Sequence, residues 1–374
     1  MKKLQFLALI SSLCLVADGC SKSDSIETIP VVEIEKYFEK GETDLIRDKI
    51  EIINVFQPEF TDSSMFVKPV LASIDDERVY MYDGRKRDWM MTFDLNTGKL
   101  INAFNHKGQG PGEYSSAAYS LFNPETEEWT VYSRPKDFMQ YTSKGEFLKK
   151  TENDSIQSLA PLNDGSWIAF NHYREKVKKL YIYNTDWNLT NIINLNDNRW
   201  DLPGYVNPDR FLVLDGKTYI SQKDTVYVYD NVAEKLVPSL ILALGKYSYD
   251  WGSIDSQQKY EEAVKSRIMP VMPVFNSKYA YASYQRPFPA SDLTYDLYDL
   301  TSGDLVFRKI VSGEERSSSG DFVFPVEING KTLYGQILDF VKDDHFFIMV
   351  PLDQLIDEND SDEINPLIVE VKIN

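Results

Sequence analysis

Residues 107–114 read Lys107-Gly108-Gln109-Gly110-Pro111-Gly112-Glu113-Tyr114. The run places an amide, a carboxylate and a phenol on one glycine-rich loop. Its glycines open backbone conformations closed to other residues, and Pro111 stiffens the centre. Gln109, Glu113 and Tyr114 are therefore candidate ligand-binding residues. The alternative is a tight turn in which Glu113 satisfies the loop's own amides. The run lacks the Gly-Lys-Ser/Thr ending of a phosphate loop and opens no helical pattern. The three histidines, His106, His172 and His345, are isolated, with no His-x-x-x-His or His-Glu-x-x-His pair, so zinc hydrolysis has no support. There is no Gly-x-Ser-x-Gly elbow. Asp75-Asp76-Glu77 offers carboxylates for calcium, or a solvated turn before Val79. A carboxylate pair for glycoside chemistry would draw on distant segments, so spacing cannot locate it. Trp129 and Trp167 fall in strand patterns and read as core. Trp200 and Trp251 fall outside them and are candidate platforms for stacking a ligand.

The 374-residue chain carries 40 Lys and Arg against 58 Asp and Glu, a net charge of −18. That balance excludes a nucleic-acid binder that works by neutralising phosphates. Both cysteines, Cys14 and Cys20, lie in the first twenty residues. Residues 21–374 can therefore form no disulfide and hold no thiolate metal site. Met1-Lys2-Lys3 is a basic start, and Leu4 to Val16 is an apolar run too short to span a bilayer. Ala17-Asp18-Gly19-Cys20 then resembles a bacterial lipobox. The expectation is a signal peptide over 1–19, lipidation at Cys20, a tether over 20–44 and a folded domain over 45–374. Membrane attachment would be by the lipid alone, because the acidic surface repels anionic headgroups.

The domain repeats. Strands ending in Tyr or Phe run into a short polar residue, a turn and an apolar residue at Phe93-Asp94, Tyr141-Thr142, Tyr183-Asn184, Tyr229-Asp230 and Tyr298-Asp299. The first three intervals between the polar anchors, 48, 42 and 46 residues, fit one four-stranded propeller blade each. The fourth, 69 residues, is too long, and residues 251–269 read as a helical insertion. Asp164-Gly165, Asp215-Gly216 and Asn329-Gly330 are two-residue hairpin signals between apolar runs. Residues 50–56 and 366–373 are strand-like, and pairing them would close the ring in one composite blade. Five copies plus that blade predict an all-β, six-bladed β-propeller of four-stranded blades.

The Lys107–Tyr114 string, following a Phe-Asp-x-x-x-Gly-Lys-Leu-Ile turn over 93–101, resembles the six-bladed, loosely NHL-like propeller lipoproteins of Bacteroidetes. The ending Asn365-Pro366-Leu367-Ile368-Val369-Glu370-Val371-Lys372 is similar to theirs as well. The resemblance covers residues 45–374. It implies a fold and a cell-envelope location, on the periplasmic or surface side of the outer membrane, and brings no reaction with it. The functional expectation is a non-catalytic binding or scaffold propeller for a glycan, peptide or envelope protein, without nucleic acid. No cofactor is expected beyond the calcium considered above. The alternative is a lyase or hydrolase using carboxylates at the channel mouth, with or without a metal.

Overall fold

The computed structural model describes residues 29–374 except 67, 85–87, 134–136, 154–155, 172–174, 176, 199–210, 250–253, 255, 269–270, 288–291, 314–321, 352–353 and 355–364. Six antiparallel sheets form a ring, as expected for a six-bladed β-propeller. Blade 1 occupies residues 69–104, blade 2 117–152, blade 3 156–198, blade 4 211–242 and blade 5 274–311. Each is an up-and-down meander whose first strand lies innermost. Blade 6 takes three strands from 331–373 and its outer strand from Ile50–Phe56, and Phe324–Ile328 pairs with the first residues of the long strand Lys331–Lys342 as a hairpin extension. The ring thus closes by pairing the two ends of the chain, Val369 opposite Val55.

The anchor positions have a common physical cause. Asp94 Oδ1 accepts from the amides of Asn96 and Thr97 at 3.1 and 2.8 Å. Asn184 accepts from Asp186 and Asn188, Asp230 from Val232 and Ala233, and Asp299 from Thr301 and Ser302. Thr142 does the same through its hydroxyl, taking the amide of Glu146 at 3.1 Å. A short polar side chain at the strand end closes the turn before the outer strand, which is why only Asp, Asn or Thr recurs there. Gly98 in one such turn has φ +70°, and a Cβ there would collide with the Gln57 carbonyl of blade 6. Gly145 has φ +90°, and a Cβ would meet Phe104 of blade 1 at 2.6 Å. Each of these turns therefore receives the outgoing strand of the preceding blade. Between blades the core is aromatic: Tyr80 of blade 1 stacks on Phe122 of blade 2 at 3.8 Å.

Residues 30–44, expected as tether, belong to the fold. Val31–Val32 adds a parallel strand to the outer edge of blade 4, and Thr43–Asp44 an antiparallel one to the edge of blade 5. Between them lies a one-turn helix, Ile34–Tyr37. Val32 and Ile34 are fully buried. Two-residue strands and a single helical turn leave too little periodicity to read from sequence. With Ile50–Phe56 on blade 6, the N-terminal segment forms a strap across three consecutive blades.

The strap is held by a buried ion pair. Arg308 and Asp296, on adjacent strands of blade 5, have fully buried side chains and meet at 2.6 Å. The hydroxyls of Tyr284 and Tyr298 donate to Asp296 at 2.8 and 2.7 Å. Arg308 Nη1 donates to the strap carbonyls of Tyr37 and Lys40. Arg286 donates to the Phe38 carbonyl at 2.8 Å.

The helix expected in the 251–269 insertion is present at Gln257–Val264, where the Ser256 hydroxyl accepts from the Lys259 amide. It lies in the connection from blade 4 to blade 5. The inner strand of blade 5 is only Val274–Phe275. Blade 4 consequently touches blade 6 directly: the Asp215 amide donates to the Val341 carbonyl at 2.8 Å, and Asp215 Oδ1 accepts from the Asp343 amide.

Two outcomes follow. Replacing Arg308 with Met strands the buried Asp296 carboxylate and should cost about 3–5 kcal/mol, measured by urea unfolding. The second concerns pH. Burial, then the Asp296 charge, raises the Tyr284 and Tyr298 phenols. Burial, with Asp215 adding, pushes Tyr219 from 10.0 up to about 12. The fold favours neutral phenols, so their stabilisation is complete below pH 10 and is lost as pH rises toward 12 and beyond. Absorbance at the phenolate band should show these tyrosines ionising only together with unfolding.

Candidate functional site

The topology sorts the connections by end. First-to-second and third-to-fourth strand turns leave one end of the ring, and none exceeds the five residues of 95–99 or 162–166. The connections 57–68, 105–116, 199–210, 243–273, 312–323 and 351–366 all join strands at the other end. Long connections on a rigid frame are where binding groups concentrate.

The Gly-rich loop over 105–116 is one of these connections, but it does not reach the channel mouth. It folds outward into the seam between blades 1 and 2. Tyr141 of blade 2 donates its hydroxyl to the Gly112 carbonyl at 3.0 Å. His106 Nε2 lies 2.6 Å from the Gly145 carbonyl, and its ring stacks on Tyr141 at 5.0 Å. Lys107 pairs with Asp88 at 2.9 Å. A Cβ on Gly112 would meet the Phe147 ring at 2.8 Å, and Phe147 belongs to the outermost strand of blade 2. The outgoing strand of blade 1 ends at the neighbour's outer turn, and the loop must start there.

Within the loop the expected site residues separate. Glu113 turns back on the glycines, accepting from the Gly110 amide at 2.7 Å, and a Cβ on Gly108 would collide with its carboxylate. Tyr114 is buried; its hydroxyl accepts from the His106 amide at 3.2 Å and donates to the Asp88 carbonyl at 2.7 Å. Burial also raises its phenol pKa. Tyr114 therefore packs the seam and cannot line an open surface. Gln109 is exposed at the loop tip. Trp200, Trp251 and Cys20 lie outside the described residues. Asp75 accepts from the amides of Glu77 and Arg78 and from the Arg78 guanidinium and Tyr80 hydroxyl, closing the turn before blade 1's second strand. Among the described residues no three His, Cys, Asp or Glu side chains are grouped to hold a metal ion.

Sequence reading missed Trp187. It occupies the turn position that is Gly98, Gly145 or Gly303 in other blades, with φ +66°. A bulky residue rarely adopts that backbone. Its ring stacks on Trp167 at 5.5 Å and contacts Phe138 of blade 2, and its Nε1 donates to Gln140 Oε1 at 2.9 Å. The only available signal was its place in the repeat, where the other copies carry glycine or a polar residue.

A family profile described as "Domain of unknown function (DUF4934)" matches residues 29–373. The chain belongs to this family. Its boundary at residue 29 coincides with the start of the strap. No curated protein matches the DUF4934 chain in sequence. Among solved structures, it is similar to a Bacteroides fragilis protein whose name calls it exported, at 14% identity and TM-score 0.64, over 93% of this chain and 100% of that one. It is also similar to a DUF4221 family member from Bacteroides vulgatus, at 10% identity and TM-score 0.51, over 88% and 99%. These likenesses carry the fold.

Replacing Trp187 with Gly suits the backbone but empties the seam between blades 2 and 3. The loss of packing should win, lowering stability by about 3 kcal/mol, read from the midpoint of urea unfolding.

Proposed function

We propose that this DUF4934 chain is a lipid-anchored envelope protein whose propeller binds a partner without catalysing a reaction. The observation that carries the reading is the asymmetry of the ring. One end has only tight turns between the described strands, and the long connections other than 105–116 start and finish at strand ends on the opposite side of a frame closed by the two ends of the chain. Such an end presents groups from several blades to one focus, which suits a glycan, a peptide or an envelope protein. Trp200 and Trp251 fall within two of the long connections, and Gln109 is exposed at the tip of the loop that turns outward into the seam between blades 1 and 2. The leader ending at Cys20 supports export and lipidation. The exported name of the Bacteroides fragilis relative agrees with an envelope location. No helix among the described residues is long and apolar enough to cross a membrane, so the lipid would be the attachment.

Two measurements test this. Labelled palmitate should enter the full-length chain expressed in a Bacteroides host, and Cys20→Ser should abolish the label and release the protein from the membrane fraction. The purified chain should then be screened by thermal shift against envelope glycans, peptides and calcium. A ligand at 100 times its Kd adds about 2.7 kcal/mol, a shift that is easily read. A shift with a glycan or peptide, weakened by Gln109→Ala or Trp251→Ala, supports the binding reading. Turnover of a screened glycan or peptide would replace it with the hydrolase or lyase reading.

A further inference from the structure

The chain enters the fold at one place on the perimeter. The Pro30 carbonyl accepts from the Ile241 amide at 2.9 Å, and Val31 and Val32 pair with Ile241 and Leu242 on the outer edge of blade 4. From there it is fixed at every step. Glu35 accepts from the Lys246 amide at 2.9 Å, Phe38 stacks on Tyr247 at 3.9 Å, and Arg286 and Arg308 hold the following carbonyls. The Tyr37 hydroxyl donates to Asp304 of blade 5 at 2.7 Å. The described segment from Pro30 to Phe56 is held against blades 4, 5 and 6 and does not serve as a tether.

We propose that the outer rim of blades 4 and 5 is the side turned to the lipid surface, with blades 1 and 2 turned away. This rests on the lipid anchor at Cys20 proposed above. Only residues 21–28 separate Cys20 from Ile29, and the intervening chain spans at most roughly 30 Å when fully extended. A free tether over 20–44 would have reached roughly 80 Å and left every side equally accessible. Four strands on either side of a channel make the ring roughly 45 Å across. The short tether therefore cannot bring blades 1 and 2 to the surface as readily as blades 4 and 5. Exposed apolar side chains lie on both rims, Val232 and Leu45 on the near one and Ile101, Phe147 and Leu148 on the far one, so apolar contact does not choose between them. The net charge of −18 favours no broad electrostatic contact with anionic lipid, so the tether's point of entry decides the orientation.

The mature chain has no cysteine besides Cys20, whose sulfur would carry the lipid. Val232→Cys, Leu45→Cys and Ile101→Cys, the last exposed on the outer strand of blade 1, each supply one thiol for a donor fluorophore. Each lipidated variant is placed on phosphatidylethanolamine–phosphatidylglycerol vesicles that carry an acceptor on a lipid headgroup. Energy transfer should be strong from 232 and 45 and weak from 101. A Gly/Ser linker of about 20 residues inserted between 28 and 29 should erase the difference. Equal transfer from all three sites without the linker, or stronger transfer from 101, overturns the orientation. A difference that survives the linker overturns the tether as its cause. Palmitate incorporation in the same preparations separates the two readings: no incorporation removes both, whereas incorporation with equal transfer removes only the orientation.

Discussion

The Arg308–Asp296 pair is the point on which the closed ring depends. Two charges without solvent contact are costly unless every lone pair and proton finds a partner. Here the partners are two tyrosine hydroxyls on one side and the strap's backbone carbonyls on the other. The strap satisfies the arginine, and the arginine fixes the strap. Because the same strap leads into the outer strand of blade 6, the pair in blade 5 is mechanically continuous with the closure of the ring.

Closure also explains why the molecule needs no disulfide. In an open stack of blades the terminal sheets would expose whole faces. Pairing Ile50–Phe56 with Leu367–Ile373 removes those ends, and the strap covers the outer edges of blades 4 and 5. Elsewhere the edges are blunted locally. Glu59 accepts from the Leu100 amide on the edge of blade 1, and Lys149 and Lys150 lie on the edge of blade 2.

The parts of the fold legible in the sequence are those set by local chemistry. Asp94, Thr142, Asn184, Asp230 and Asp299 recur because each turn needs a short acceptor at one position, and Asp215-Gly216 and Asn329-Gly330 mark hairpins because both residues take positive φ. The composite closing blade was legible because residues 50–56 and 366–373 are both rich in Ile and Val and stand at opposite ends of the chain. The strap was not: its strands are too short to carry a period, and its partners lie more than two hundred residues away. The loop over 105–116 was legible as a turn but not in place, because the twist of a blade decides where its last strand ends. Glu113 and Tyr114 have the residue types of a ligand site, yet their geometry spends them on the loop itself. Gln109 keeps its side chain in solvent, and nothing in its type distinguished it from the other two.

The strap has a consequence in time. A chain made from its N-terminus presents residues 31–56 first, but their partners lie at 235–242, 305–311 and 367–373. Blades 1 to 3 can form as local meanders while synthesis continues, since each pairs only with neighbouring sequence. The strap cannot. Its apolar residues Val32, Ile34 and Phe38 stay unburied until blades 4 and 5 exist. Its last strand waits for the final residues of the chain. Assembly of this propeller is therefore ordered from the middle outward, with the first segment made among the last to fold. The slow step should be the long-range closure rather than any single blade.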